Sequence, residues 1–200
     1  MNCTIQNKED YKFFLEADRI SLGENRKRPH LVSIWEADVI WKFQRLLRKT
    51  EYLHNCRSQG INKIYYKFIQ YRLFRYQNKT GMNIPINVFG PGLSIAHVGP
   101  IIINGFAKVG KNCRLHPFTT IGINGFSGKV ANIGDDVYLS NGCKIIGDVR
   151  IGDGIVIAAS AVVTKSFTEK NSVVGGIPAK VISYNGNPIP ENRRGANLAR

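Results

Sequence analysis

The fold is decided by "IGDDVYLSNGCKIIGDVRIGDGIVIAASAVVTKSF", residues 133–167, in which an aliphatic residue returns at every sixth position. The same step extends upstream to Ile95, with an insertion of two residues and a second insertion at "SGKVAN". The residue after each aliphatic position is mostly Gly, Ser or Ala, and another column of small or apolar residues lies three positions further on. The aliphatic column consists of Ile95, Ile101, Val109, Leu115, Ile121, Ile133, Leu139, Ile145, Ile151, Ile157 and Val163.

A strict six-residue repeat predicts a parallel β-helix, because each hexad forms one short strand and one turn in a recurring structural position. Three hexads complete a triangular coil, and successive coils stack at the strand spacing of about 4.8 Å. The aliphatic column then fills the interior, and the small residue after it permits a tight corner. Cys113 and Cys143 fall in the second column and are interpreted as small apolar core groups. The predicted fold class is therefore mainly β.

The period changes near residue 81, which divides the chain into three predicted parts. Residues 1–80 form an α-helical N-terminal region, and residues 81–183 form the β-helix. Residues 184–200, with "NGNPIPENRRGANLAR", have the polar composition of a mobile tail.

Three helices are predicted in the N-terminal region from apolar residues at three-to-four spacing. The first covers about residues 9–28. The second runs to about Asn55, with Ser33 as its N-cap and Glu36 completing a capping box. The third, residues 61–77, interleaves aromatic residues with Lys and Arg.

The composition favours an acidic partner, since the formal net charge is +14 and both halves are basic. Nucleic acid, anionic lipid and phosphorylated small molecules would all be attracted by such a field. The polar N-terminus "MNCTIQNKEDYKFF" does not resemble a signal peptide, and no apolar run approaches the ~18 residues of a membrane span. The four cysteines form no C-x-x-C pair. This pattern predicts reduced thiols in a cytoplasmic protein and argues against a disulfide framework or a zinc site.

The hexads, the ending "VVGGIPAKVI" and the stretch "IAHVGPIIINGFAKVGKNCRLHPFTTIG" together resemble the hexapeptide-repeat acyltransferases. Within that superfamily, the chain is similar to the serine acetyltransferase-like branch that includes exopolysaccharide O-acetyltransferases. The resemblance covers roughly residues 82–183. It implies a left-handed β-helix, an exception to the usual right-handed crossover. It also implies a homotrimer with active sites between subunits, acetyl-CoA as the donor substrate, and no metal.

His97 falls on the position that resembles the family's catalytic base. An imidazole can take a proton near neutral pH while a hydroxyl oxygen attacks a thioester. The alternative is a corner histidine that is hydrogen-bonded to a backbone carbonyl. Counting one coil from Ala96 places His116 beside His97, roughly 5–8 Å away at this coil spacing, where it would orient the base, touch the acceptor or simply lie on the surface.

Departures from the serine acetyltransferase pattern bear on the acceptor. The Asp that precedes the catalytic His in that family is Ala96 here, and the coil before it reads "MNIPIN", without a carboxylate. The family's loop histidine is also missing, which leaves Lys129 and Asn132 as candidate acceptor-binding residues. A serine substrate needs charged partners for its ammonium and carboxylate groups. The predicted function is therefore O-acetylation of a sugar hydroxyl in a surface polysaccharide precursor, with serine O-acetylation as the alternative.

The resemblance places the pantetheine arm of the donor along a β-helix corner between subunits. Backbone groups at Ile123, Asn141 and Ala159 would serve this arm. Lys165 and Lys180, near the end of the coil stack, would meet the nucleotide phosphates or remain solvated surface lysines.

The aromatic and basic third helix has three interpretations. It packs against the trimer or the first coil, it contacts an anionic membrane, or it binds nucleic acid; the last is disfavoured because no known reader module matches. Trimers could also pair through the helical region. Two other functions are possible for the protein as a whole. One is a metal-dependent hydratase on the same fold, which would need three histidines close together. The other is a non-catalytic scaffold that binds an acidic polymer.

Overall fold

The computed structural model describes residues 4–33, 35–60, 62–125 and 128–199. Three helices precede the β-helix and one short helix follows it. They are α1 (Lys8–Leu22), α2 (Glu36–Cys56), α3 (Asn62–Thr80) and α4 (Gly195–Leu198). Within these ranges, no helix is both long enough and apolar enough to cross a membrane.

Short strands follow one another around a triangular prism and form three sheets. The first sheet has the order β1-β3-β6-β9-β12, the second β4-β7-β10, and the third β2-β5-β8-β11-β13-β14. All pairings are parallel except the last, β13 with β14. The strands are β1 (Met82–Asn83), β2 (Ser94–Ile95), β3 (Ile101–Ile103), β4 (Lys108–Val109), β5 (Arg114–Leu115), β6 (Thr120–Gly122), β7 (Asn132–Ile133), β8 (Tyr138–Leu139), β9 (Lys144–Ile146), β10 (Arg150–Ile151), β11 (Val156–Ile157), β12 (Val162–Val163), β13 (Val173–Gly176) and β14 (Ala179–Ser183).

The prediction of a left-handed parallel β-helix with an N-terminal helical region is confirmed. Ile95 pairs with Leu115, and Leu115 pairs with Leu139, as the hexad count requires. Every member of the aliphatic column is at most 3% exposed. Each such side chain contributes roughly 1.5–3 kcal/mol when fully buried, so this column supplies much of the stability of the prism. Cys113 and Cys143 are buried free thiols in the second column, as predicted.

The small residue after the aliphatic position is explained by close contact between coils. A Cβ atom on Gly134 would lie 2.4 Å from Asp153 Oδ1, and one on Gly110 would lie 2.3 Å from Asp135 Oδ1. These carboxylates are fixed because Asp153 Oδ1 accepts from the Asp135 N–H (3.0 Å) and Asp135 Oδ1 accepts from the Lys111 N–H (2.9 Å). The glycine therefore makes room for a carboxylate that caps the backbone of the neighbouring coil.

The helix boundaries differ from the prediction at two points. Helix α1 ends at Leu22 rather than near residue 28, because Gly23 adopts a left-handed conformation (φ 69°) and reverses the chain. Helix α2 has Trp35 at its N-cap, without a side-chain capping bond. The predicted capping box is therefore wrong: Ser33 Oγ accepts from Lys42 Nζ (2.7 Å), and Glu36 is the first helical residue.

A buried charged cluster attaches the helices to the first coil. Arg48 on α2 is completely buried and donates to both oxygens of Asp18 on α1 and to Glu51 Oε2. It also donates to the carbonyls of Phe89 (2.8 Å) and Gly90 (2.7 Å) in the first coil. Burial alone would lower the pKa of Arg48, but the charges and hydrogen bonds of Asp18 and Glu51 together raise it above its ordinary value, so the guanidinium stays charged.

The tail was predicted to be mobile, and the structure gives it specific contacts. Gly195 N–H donates to Ser21 Oγ on α1 (3.0 Å), and Ala196 N–H donates to Asn112 Oδ1 (2.8 Å). Asn187 Nδ2 donates to the carbonyl of Asp136. Residues 187–197 thereby cover the groove between α1 and the β-helix.

Candidate active site

His97 follows β2 at the corner where the chain turns from the β2 sheet into the β3 sheet. The corner is anchored by the Ala96 N–H, which donates to the carbonyl of Leu115 in the next coil (2.9 Å). The His97 side chain is 64% exposed. An imidazole at this corner is therefore presented to the outside of the prism, where it can meet a substrate.

The partner of His97 is Glu36, which reaches the corner from the first turn of α2. Glu36 Oε2 lies 3.2 Å from His97 Nδ1, and Glu36 Oε1 accepts from the Val98 N–H at 2.7 Å. The Val98 hydrogen bond, followed by the contact with His97, holds the pKa of Glu36 below its ordinary value. The sequence interpretation missed this residue because it assigned Glu36 to a helix cap, and no short-range pattern links two positions 61 residues apart.

His116 lies beside His97, with 6.4 Å between the ring centroids, within the range expected from the coil count. Its ring is tilted against the Tyr138 ring at 5.0 Å. Burial lowers the pKa of His116, and the charges of Arg114 and His97 lower it further. Its Nε2 is buried and has no hydrogen-bond partner among the described residues. His116 is therefore neutral near pH 7 and offers a polar atom beside His97.

The structure brings two of the three predicted donor-binding positions to the His97 corner. Gly142 N–H donates to Pro117 O (3.0 Å), and Ser160 N–H donates to Asn141 O (2.9 Å), so the coil corners stack in one line. Asn141 and Ala159 are exposed along this line. Ile123 instead follows β6 at the next corner of the prism.

The residues predicted to bind the acceptor or the nucleotide phosphates lie away from His97 within one chain. Asn132 begins β7 in the second sheet, and Lys129 Nζ pairs with Asp148 at 3.1 Å in the preceding corner. Lys165 follows β12 and Lys180 lies on β14, both exposed at the far end of the coil stack. Their predicted roles in binding acceptor or phosphate therefore remain predictions.

A cleft of about 200 Å³ lies between the helices and the His97 corner. Its lining includes Glu24, Glu36, Trp41 and Ala96. The Trp41 indole is 1% exposed, and its Nε1 has no hydrogen-bond partner among the residues described. Both carboxylates already have partners within the chain, because Glu24 pairs with Arg26 at 2.6 Å and Glu36 contacts His97 and the Val98 N–H. In the described part of the chain, no group of three or more His, Cys, Asp or Glu is placed to hold a metal ion.

Known proteins share both the sequence pattern and the fold. The family "Bacterial transferase hexapeptide (six repeats)" matches residues 131–165. A serine acetyltransferase from Bacillus pumilus is 31% identical over 145 residues, which is 68% of this chain and 66% of the relative. One from Mycobacterium tuberculosis is 34% identical over 106 residues, 52% of this chain and 46% of the relative. The chain belongs to the hexapeptide-repeat superfamily and is serine acetyltransferase-like.

Solved structures extend the likeness to the helical region. Serine acetyltransferase from Brucella abortus, in complex with coenzyme A, has a TM-score of 0.64 at 21% identity and covers 91% of this chain and 69% of that one. The Neisseria gonorrhoeae enzyme in complex with serine has a TM-score of 0.55 at 21% identity, covering 88% of this chain and 70% of that one. At this identity the likeness concerns the fold. The chain spans about half to two thirds of the length of these curated relatives.

Proposed function

We propose that this protein is an acetyl-CoA-dependent O-acetyltransferase in which His97 is the general base. The observation that carries the proposal is an exposed imidazole held at a β-helix corner, in line with the exposed Asn141 and Ala159 corners above it. The serine acetyltransferase relatives support the same chemistry.

The proposed reaction transfers one acetyl group and one proton. His97 Nε2 takes the proton of the acceptor hydroxyl while its oxygen attacks the thioester carbonyl. Backbone N–H groups stabilise the tetrahedral oxyanion. The carbon–sulfur bond then breaks, and the imidazolium returns its proton to the thiolate, which gives an ester and free coenzyme A.

The preferred acceptor is L-serine rather than a sugar. The sugar prediction rested on missing carboxylates and has no support among the relatives, which are serine acetyltransferases. The structure also weakens its premise, since Glu36 brings to His97 a carboxylate that the neighbouring sequence does not supply.

The test uses the purified full chain with acetyl-CoA and measures release of coenzyme A thiol. We expect release with L-serine, no release with UDP-N-acetylglucosamine, and loss of roughly 10²–10⁴-fold in kcat for His97→Ala. Unaltered turnover by His97→Ala, at unchanged thermal stability, would disprove the role of the base. Turnover with the sugar nucleotide alone would restore the sugar acceptor.

We also propose that the active unit is a homotrimer. Large apolar side chains are exposed on the β3 sheet and on its two bordering corners: Ile102, Phe106, Phe118 and Ile123. Such a patch marks an interaction surface. In a threefold ring, one border of the sheet meets the other border of the next protomer, so the Ile123 corner of one protomer would face the His97 corner of its neighbour.

Light scattering tests this assembly, with an expected mass of three times 22.4 kDa. Phe106→Asp places a charge on the most exposed of these residues and should give monomers with lost activity. Ile64→Asp, an exposed position on α3, is the matched control and should remain trimeric. A monomeric wild-type protein with full activity would refute the trimer.

For the third helix we propose peripheral contact with an anionic lipid surface. Its buried face carries Tyr66, Ile69 and Leu73, so one side of the helix packs against the rest of the protein. Its opposite face exposes Ile64, Tyr65, Phe68, Tyr71 and Phe74 among five Lys and Arg residues. Since residues 52–134 contain no Asp or Glu, a second copy of this face would be repelled, whereas an anionic bilayer would be attracted.

Vesicle sedimentation tests this contact. We expect binding to phosphatidylglycerol-containing vesicles, weaker binding at high salt, and none to pure phosphatidylcholine. Phe68→Ser with Phe74→Ser should abolish it, while Ile182→Ser, at an exposed position on β14, should not. Equal binding by the double variant, or a salt-dependent hexamer without vesicle binding, would overturn the proposal.

A further inference from the structure

We infer that Glu36 is the positioning residue that fixes the tautomer and orientation of His97. The inference rests on the proposed function and extends it to the N-terminal helical region. In this chain the residue before His97 is Ala96, so no neighbouring side chain in sequence can accept from the imidazole.

The contact geometry lets one carboxylate hold both the ring and its backbone. Glu36 Oε2 is 3.2 Å from His97 Nδ1, while Glu36 Oε1 accepts from the N–H of Val98 at 2.7 Å. The bond to Val98 restricts the carboxylate and so directs its second oxygen at the imidazole. The positive end of the α2 dipole also favours an ionised carboxylate in the first turn.

A series of contacts along α2 keeps Glu36 at this corner. Arg48 binds the carbonyls of Phe89 and Gly90, one end of the series. Towards the start of the helix, Gln44 donates to Leu93 O (2.7 Å) and accepts from the Ile95 N–H (3.3 Å). In the first turn, the Glu36 carboxylate contacts the His97 ring and the Val98 N–H. The helix is thus bound in register to the segment that carries the base.

The chemical consequence is a defined tautomer. A carboxylate accepts hydrogen bonds only, so the proton of neutral His97 must reside on Nδ1. Nε2 then carries the lone pair that a general base needs. A carboxylate beside the ring also stabilises the imidazolium that forms when Nε2 takes the proton of the acceptor.

This contact adds little to folding, which separates its catalytic role from a structural one. The side chains of His97 and Glu36 are 64% and 48% exposed. Exposed ion pairs contribute about 0–1 kcal/mol. A Glu36 variant should therefore unfold close to the wild-type temperature, whatever its activity.

The activity test compares Glu36→Gln with Glu36→Asp, using acetyl-CoA and L-serine. Gln has the length of Glu but one acceptor atom and no charge, and its amide N–H₂ facing Nδ1 would favour the wrong tautomer. We expect kcat to fall at least tenfold, up to the roughly 10²–10⁴-fold that general-base catalysis supplies, with KM for acetyl-CoA unchanged. Glu36→Asp should recover part of this loss.

The matched control is Glu169→Gln, which removes an exposed carboxylate at the far end of the coil stack, where it accepts from Tyr184 Oη. It should retain wild-type kcat. If Glu36→Gln is as active as wild type or more active than Glu36→Asp, while His97→Ala is inactive, this inference fails and the proposed function stands. If His97→Ala is active, the proposed function fails.

A spectroscopic test needs no acceptor. In ¹⁵N-histidine-labelled protein, which has four histidines, the neutral form of His97 should show the chemical shift of a protonated nitrogen at Nδ1 and that of an unprotonated nitrogen at Nε2. Glu36→Gln should shift His97 towards the opposite tautomer or a mixture. A neutral His97 that carries its proton on Nε2 in the wild type would overturn the inference, whatever reaction the protein catalyses.

Discussion

Replacing Arg48 by Met should strongly destabilise the protein. Met occupies a similar volume but donates no hydrogen bonds. The substitution removes all five bonds of the guanidinium, which join Asp18, Glu51, Phe89 and Gly90 to one buried group. The attachment of α1 and α2 to the first coil depends on these bonds.

The magnitude follows from what remains buried. Removing one partner of a buried ion pair costs about 3–5 kcal/mol. Asp18 keeps the N–H groups of Gly92 and Leu93, and Glu51 keeps that of Asn87, which limits the loss. At roughly 2–4 °C per kcal/mol for a chain of this size, Tm should fall by roughly 6–20 °C. Because proton uptake neutralises the carboxylates left behind, the deficit should shrink as pH falls.

Calorimetry and urea unfolding at matched protein concentration measure the effect. The control is Arg45→Met on the same helix, where the guanidinium lies over the Trp41 ring and donates to Lys27 O at 3.2 Å. That change should cost less than about 1 kcal/mol. Equal Tm values for the two variants, or a deficit that grows towards acid pH, would refute the reasoning.

Three further predictions concern the β-helix. Gly134→Ala should cost about 1–3 kcal/mol, because the new methyl would meet Asp153 Oδ1 at 2.4 Å, whereas Gly125→Ala, with nothing within 4 Å, should be neutral; equal melting temperatures would show that the coils give way. Because the pKa of His116 is lowered in the folded state, the unfolded chain binds the extra proton and stability should fall as pH drops below about 6.5. His116→Gln should flatten that slope in calorimetry, and an unchanged slope would assign it to other groups. Burial raises the pKa of Cys143 to about 11 and raises that of Cys113 as well, so mass spectrometry after iodoacetamide treatment should find both unmodified until the protein unfolds. Labelling of either in the native protein would contradict the packing.

The β-helix could be predicted from the sequence because every hexad makes the same contact in the interior of the prism. One aliphatic residue in each hexad occupies one interior position, so the column reports tertiary packing directly. The helix ends were harder. The first helix was predicted to run to about residue 28, but the left-handed turn at Gly23 ends α1 at Leu22, and Trp35 rather than Ser33 is the N-cap of α2.

The tail shows the limit of composition as a guide. Its polar residues predicted mobility, yet Ala196 is buried and its N–H meets Asn112, a side chain in a coil corner. Such partners are specified by the surface of the finished β-helix. A local pattern in residues 184–200 cannot contain that information.

The same reasoning explains why His97 could be found and Glu36 could not. His97 stands out because it lies among aliphatic and small residues at the position that resembles the family's catalytic base, whereas Glu36 acquires its role only when α2 is attached to the first coil. The twelve residues from Glu36 to Arg48 span about 18 Å at the helical rise of 1.5 Å per residue, so a small rotation at the buried cluster moves the carboxylate away from Nδ1. Arg48→Met should therefore lower kcat even at temperatures where it remains folded. Glu36→Gln should lower kcat without lowering Tm. This difference separates attachment of the helix from orientation of the base.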